Sequence, residues 1–508
     1  MSWGFMIALL LILVPLLTGI FSFFIKEDKR VRTFAYISSV ATVAVVLFGL
    51  VSCKDESCFE FRGEWMGALG SSFHLKMDGL SKLMCLLTAV AYPMIFIATL
   101  KTAYKNSHRY FGLMLLTQAG LMGVFVAADA LLFYFFWELA LIPVYFLCST
   151  WGGEKRIAVT FKFFVYTFLG SVLMLIALLY IYNSTPDRSF DIESFYKANN
   201  KQSWVFFMMF IAFAIKMPIF PFHTWQPDTY QQTNTGTTMV LSGIMVKMGL
   251  FAVLRWLVPV MPILVSDWAI FISSLSVIGI IYASLIAIQQ DDLKKLVAYS
   301  SIAHIGLMCL AIFAVNKTGM QGVMLQMFNH GINIIGLWIV VEIIERNLGV
   351  RKISELGGLA KSSPSLAIFL TVIALANIAL PLTNAFPGEF LMFNGIFNST
   401  SFDGAYTLFG TMSFTASNFG LIFTVLAGLG IILAAVYTLN MIRKVFYGET
   451  NELTEKGVSL FTHEKIVLSV IVIIILVLGV YPKPVIELTE QAANFIMSKA
   501  DITQFLKK

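Results

Sequence analysis

The chain has 508 residues, 58% of them hydrophobic and only 13% charged, with a mean hydropathy of +0.82. Soluble domains carry about 25% charged residues, so this composition excludes a soluble enzyme and requires a lipid bilayer around most of the surface. The net charge of +6 is spread over many loops, and nothing in its pattern suggests a nucleic-acid partner.

Apolar runs of spanning length recur from end to end, about fourteen of them. The first two are Trp3–Ile25 and Phe34–Val51. No small-residue cleavage site follows the first, so it reads as a span and not as a signal peptide. Leu80–Leu100, Tyr110–Val126, Leu131–Thr150, Phe161–Tyr182 and Trp204–Phe222 follow. Thr238–Val258, Trp268–Ile288, Leu296–Val315, Val323–Ile344, Ser365–Phe397, Leu421–Ile442 and Ile466–Val480 complete the set. The short connections leave no room for a soluble module, so residues 1–508 read as one integral, all-α, polytopic domain. After Pro484 the pattern changes. Ile486, Leu488, Phe495, Ile496, Ile502 and Phe505 alternate with charged residues, and 484–508 is expected to be an amphipathic tail lying in the interface or against a neighbouring subunit.

Lysine and arginine collect in alternate loops: Lys26 to Arg32, Lys101 to Arg109, Lys155-Arg156, Lys294-Lys295, Arg346 to Lys361 and Arg443-Lys444. With fourteen spans the positive-inside rule puts these loops in the cytoplasm and both termini outside. On that topology Cys53 and Cys58 face the oxidising side, where they either pair or remain thiols. Cys85, Cys148 and Cys309 sit in apolar runs as packing residues. No cysteine or histidine spacing fits a metal, haem or iron–sulfur site, so this chain is expected to hold no cofactor.

Two spans are interrupted. In W-V-F-F-M-M-F-I-A-F-A-I-K-M-P-I-F-P, Pro218 and Pro221 follow Lys216; in N-I-A-L-P-L-T-N-A-F-P-G-E-F, Pro381, Pro387 and Gly388 precede Glu389. A proline-broken span frees backbone groups that only protein or water can satisfy, and paired breaks in the two halves of a chain point to a transport site. Residues of about 110–258 and 268–442 are read as two five-helix bundles related as an inverted repeat. Glu138 then corresponds to His304, and Lys216 to Glu389.

The ionisable residues at mid-span are few: Glu138, Lys216, Lys247, His304, His330 and Glu389. A charge there costs roughly 2.5–3.5 kcal/mol on insertion scales. A buried lysine without a partner becomes a proton carrier near neutral pH, whereas one paired with a carboxylate stays charged. Making and breaking a Glu138–Lys216 pair therefore switches the proton affinity of the lysine. The plainer reading of that pair is packing glue within the bundle. His304 and His330 are either relay members or hydrogen-bonded core histidines. His223 either fixes its loop or admits protons, and Asp129 and Arg255 read as helix-end residues.

The stretches F-F-W-E (Phe135–Glu138), A-I-K-M-P (Ala214–Pro218), H-T-W-Q-P-D (His223–Asp228), I-M-V-K (Ile244–Lys247), D-D-L-K-K-L-V-A-Y-S-S-I-A-H-I-G (Asp291–Gly306) and F-P-G-E-F (Phe386–Phe390) resemble the antiporter-like membrane subunits of respiratory NADH–quinone oxidoreductase, complex I. The resemblance covers nearly the whole chain. It is thinnest at Cys53–Phe73 and after Phe446. Within that family it is to the chain M type, because the other types typically have lysine where Glu389 stands. It implies a proton-translocating subunit in a bacterial inner membrane. Glu138 and Lys216 would be the coupling pair, Lys247 the central carrier, His304 and His330 relay members, and Glu389 the exit-side carboxylate. Flavin, iron–sulfur clusters and quinone would belong to partner chains, and neighbouring antiporter-like chains would flank this one. Two segments depart from the family pattern. Leu382-Thr383-Asn384 stands where a small, glycine-containing turn is usual, and Gln232 to Gly236 where the family has an A-P-T-A-G-like segment. The other readings are a subunit of a multisubunit cation/proton antiporter, which needs no redox partner, and a purely structural membrane subunit.

Overall fold

The computed structural model describes residues 3–52, 59–198, 200–402, 404–408, 412–416 and 418–500. Cys53, Cys58, Ile502 and Phe505 lie outside the described residues. Among the described residues, eleven helices are long and apolar enough to cross a membrane, and Met6–Ser22, Ser203–Lys216 and Pro364–Asn377 are shorter apolar helices. The chain is thus a multi-pass, helical membrane protein. Its only strands among the described residues are two antiparallel hairpins in connecting segments, Phe61–Met66 with Ser71–Leu75 and Gly404–Leu408 with Met412–Ala416. Neither was expected from the spanning pattern, which looks only for long apolar runs.

Short polar residues start the spans. Asp78, Asp129, Asn234, Asp292 and Asn316 each accept a backbone N–H from the first turn of the helix that follows. Such a cap satisfies donors that lipid cannot. Asp129 does more: it also accepts from the Ser71 hydroxyl and the Ser72 N–H, which ties the first hairpin to the Ala130–Thr150 helix. Its reading as a helix-end residue is the one observed. Arg255 likewise lies in the last turn before Leu257.

The helices form two compact units, each with its own core. The first comprises the described residues of Met1–Met217, Gln232–Leu264 and Glu487–Lys508; the second comprises Pro218–Gln231 and Val265–Ile486. In the first unit Ser107–Val126 packs on Trp3–Ser22 and on Ala130–Thr150; in the second Ala269–Gln289 packs on Leu293–Phe313, and Lys317–Leu348 on Ala385–Phe397. Enclosure differs sharply between spans. The best apolar window of Lys317–Leu348 is wholly buried, whereas that of Phe419–Phe446 is 28% buried, so the first supplies interior polar positions and the second a lipid-facing wall.

The interruption expected in Ser365–Phe397 is present: two helices, Pro364–Asn377 and Ala385–Phe397, with Ala379 and Leu382 at positive φ between them. Another span differs in detail. Thr238–Val258 extends over Thr235–Leu257 and contains two π-helical segments, Leu241–Met245 and Val253–Leu257. The buried thiols Cys85, Cys148 and Cys309 are unpaired.

Candidate functional site

In the first unit, Ser203–Lys216 ends at its lysine, and the Met217 N–H closes the last turn on the Phe213 carbonyl. Lys216 is 2% exposed. Its Nζ has no hydrogen-bond partner among the described residues and lies 5.4 Å from the centre of the Trp137 ring. Glu138, the next residue, has a buried Oε1 that is also unpartnered. The two residues make no direct ion pair. The arrangement is an open pair: a cation held over an aromatic face, with the carboxylate on the residue that follows that aromatic in sequence.

Lys247 is fully buried, and its Nζ donates to the Ser242 carbonyl at 2.6 Å. The local backbone explains why that oxygen is available. In a regular α-helix Val246 N–H would bond four residues back to Ser242; in the π segment it reaches five back, to Leu241, at 3.1 Å. One extra residue in the turn releases a carbonyl, and the lysine takes it.

The second unit brings His304, His330 and Glu389 into one cluster. His304 Nδ1 lies 3.4 Å from Glu389 Oε1, and the His304 and His330 ring centres are 5.4 Å apart. All three are less than a tenth exposed. Gln326 Nε2 donates to Glu389 Oε1 at 3.4 Å, and Ser301 Oγ is 3.4 Å from His330 Nε2. His304 and Glu389 line a small cleft together with Tyr437, whose hydroxyl donates to Ser300, which also accepts from Asn377. Below the cluster the second break is pinned. Asn333 and Asn384 exchange two side-chain bonds of 3.0 Å each, and Asn329 donates to the Asn384 carbonyl at 2.6 Å. His223 is buried against the Phe220 and Tyr282 rings, which also touch each other.

Several polar residues of these sites escaped the reading by charge alone. Gln326, Asn329 and Asn333 recur at helical spacing with the already singled-out His330 on one span, a stripe that periodicity would have exposed. Gln118, fully buried with both amide atoms unpartnered, is a lone amide in an apolar run. The part played by the Ser242 carbonyl had no sequence signal, because a π turn is a backbone event. Among the described residues, no group of three or more His, Cys, Asp or Glu is gathered as for a metal ion.

Buried charges beside two interrupted helices in one polytopic chain define a membrane subunit of the antiporter-like class. The family described as NADH:quinone oxidoreductase/Mrp antiporter matches residues 127–415. NADH-quinone oxidoreductase subunit M of Rickettsia conorii is 34% identical over 96% of this chain and 98% of its own length. F(420)H(2) dehydrogenase subunit M of Methanosarcina mazei is 30% identical over 97% and 98%. Among solved structures, a chain of respiratory complex I from Thermus thermophilus with bound NADH superposes with a TM-score of 0.87 at 26% identity, covering 97% of this chain and 99% of that one. A chain of the Mrp complex of Dietzia shares the fold, with a TM-score of 0.86 at 19% identity over 100% and 99%. The chain belongs to the subunit M branch of the NADH:quinone oxidoreductase/Mrp antiporter family.

Proposed function

We propose that this chain translocates protons as a membrane subunit of an NADH–quinone oxidoreductase, with the free energy supplied by quinone reduction in partner subunits. The observation that carries the reading is Lys247: a fully buried ammonium in the middle of a span, whose Nζ donates to the Ser242 carbonyl within a π turn. A purely structural subunit has no use for so expensive a group, since an apolar residue of similar size is the stabler choice. Lys247 is assigned as the central carrier and Glu138 with Lys216 as the coupling pair. His304 and His330 are assigned as relay members, and Glu389 as the exit-side carboxylate. The open Glu138–Lys216 geometry supports a pair that closes and opens, because closing it stabilises the charged lysine and opening it favours proton release.

The same reading takes about fourteen spans with an inverted repeat. A five-span bundle followed by another necessarily runs the opposite way through the membrane. Asp129 capping Ala130–Thr150 and Asp292 capping Leu293–Phe313 are the matching starts of spans five and ten. Both termini would lie outside, in the periplasm of a bacterial inner membrane, with neighbouring antiporter-like chains as partners. Flavin, iron–sulfur clusters and quinone would sit in partner chains.

The relatives at about a third identity are oxidoreductase subunits, which favours this reading over a redox-independent cation/proton antiporter. The test is proton uptake by membrane vesicles per NADH oxidised, in wild type and Lys247→Met. Assembly with sharply reduced uptake is expected. Unchanged uptake in an assembled Lys247→Met complex overturns the assignment, and sodium/proton exchange without any redox substrate would favour the antiporter.

A further inference from the structure

The first unit contains a second polar feature: an open cleft lined by Lys76, Asp78, Lys197, Arg255 and Lys499. Its floor is Asp78, the cap of Gly79–Ala98, bound to Arg255 in the last turn of Thr235–Leu257. Arg255 Nη2 donates to Asp78 Oδ1 at 2.6 Å and to Ser81 Oγ at 2.9 Å, so the floor is neutral. The cleft therefore lies where two spans end, at the depth of the lipid headgroups. The amphipathic Lys483–Ala500 helix forms one wall. It seats tightly on the start of Gly79–Ala98: a Cβ at Gly79 would come within 2.0 Å of the Leu488 carbonyl, so only glycine fits there.

Around this floor the charge is unbalanced. Lys76, Lys197 and Lys499 line the cleft and, among the described residues, none is in an ion pair; Glu193 is the one carboxylate set against them. The Lys499 ammonium stands 5.7 Å from the ring centres of both Tyr196 and Phe495, which themselves lie 5.5 Å apart. Three lysines over a neutral floor make a positive field, and walls of low dielectric concentrate it. Ile192, Ala492 and Phe495 offer apolar contact beside the lysines, which a bare inorganic ion would not use. Aromatic rings and lysines at this depth suit a headgroup with attached chains.

We infer that this cleft binds the phosphate diester of an anionic phospholipid, with Lys197 and Lys499 as its main cations and the Tyr196–Phe495 wall against the glycerol and upper acyl carbons. Glu193 opposes the ligand and weakens it. Occupancy would fasten the Lys483–Ala500 helix to the spans it covers.

The assembled membrane complex in neutral detergent is exposed to short-chain phosphatidylglycerol, phosphatidylcholine or inorganic phosphate, and retention is read by native mass spectrometry. One phosphatidylglycerol per chain is expected, with little phosphatidylcholine and no displacement by phosphate. Lys197→Ala/Lys499→Ala should weaken retention roughly tenfold or more. Lys197→Arg/Lys499→Arg should restore it. Glu193→Gln should tighten it several-fold, a gain that misfolding cannot mimic. Equal phosphatidylglycerol retention by wild type and both the alanine and Glu193→Gln variants overturns the site. Saturation by inorganic phosphate in place of lipid overturns the lipid assignment.

Discussion

At the scale of single residues, Glu389 is the most informative position. A lysine there rests as a cation and must lose a proton, whereas a carboxylate must gain one. His304 at 3.4 Å and Gln326 at 3.4 Å are its partners. Glu389→Gln keeps shape and hydrogen bonding and removes the titratable oxygen. Assembly with severe loss of proton uptake per NADH is expected; wild-type uptake would leave Glu389 a structural residue. His304→Ala should give only a partial defect, because hydrated relays tolerate the loss of one member. A different carboxylate governs stability with pH. Asp191 caps the short helix Ile192–Lys197 and accepts from Arg62 at 2.7 Å and from His74 at 2.9 Å. Burial pushes its pKa up, but the His74 and Glu193 N–H hydrogen bonds and the nearby charges of His74 and Arg62 outweigh it, and the group titrates below its usual 3.8. A depressed carboxylate stabilises the fold above its unfolded pKa, and that contribution disappears as pH falls through the folded value. Amide protection in the Phe61–Leu75 hairpin, relative to the intrinsic exchange rate at each pH, should therefore fall below a pH of about 4. Asp191→Asn should exchange faster already at neutral pH, with a flatter dependence on acid.

At the scale of elements, the second break carries backbone strain. Leu382 adopts φ 74°, a left-handed conformation that disfavours leucine. Leu382 is 67% exposed, so its side chain contributes little internal packing. Leu382→Gly should be neutral or stabilising by about 1 kcal/mol, the release of left-handed strain offsetting the added chain entropy. Asn384 does the opposite work. Its amide exchanges two bonds with buried Asn333, and Asn384→Ala strands that partner. A loss of roughly 1–3 kcal/mol is expected. Thermal unfolding in detergent separates the two: the midpoint should hold or rise for Leu382→Gly and fall for Asn384→Ala. Gly322 secures the same region from the facing helix. A Cβ there would lie 2.7 Å from Met392 N and 2.8 Å from the Gly388 carbonyl, so Lys317–Leu348 approaches the glutamate-bearing helix at backbone contact.

At the scale of the whole molecule, the proposed function has energy reach this chain from quinone chemistry in partner subunits, so assembly and turnover should separate under mutation. Lys216→Ala and Glu138→Ala should leave the complex assembled, because neither side chain makes a stabilising hydrogen bond with its buried polar atom. Both should depress quinone reduction together with proton uptake, since a coupled machine cannot run its redox half when the proton half stalls. Each charge moved against the membrane potential costs about 2.3 kcal/mol per 100 mV. Normal NADH-driven uptake in an assembled Lys216→Ala complex would remove this pair from the mechanism. Glu138→Asp should be milder, keeping the charge with a shorter reach.

The helical membrane class and the individual charged positions were legible in the amino-acid sequence, because lipid imposes length and apolarity on every span and penalises each buried charge one residue at a time. The twenty-odd-residue runs became helices, Lys216 closed its helix before Pro218, and the Pro381–Pro387 stretch parted two helices. What the tertiary structure decided is how those charges are held. Glu138 and Lys216 stand on separate helices without touching, with Trp137 under the ammonium. The Ser242 carbonyl meets Lys247 through a π turn, which leaves no mark in composition or periodicity. His304, His330 and Glu389 come from three helices whose meeting depends on close backbone contact at Gly322. Hydropathy is a sum along one chain segment; hydrogen bonds, ring faces and freed carbonyls are relations between segments, and only packing creates them.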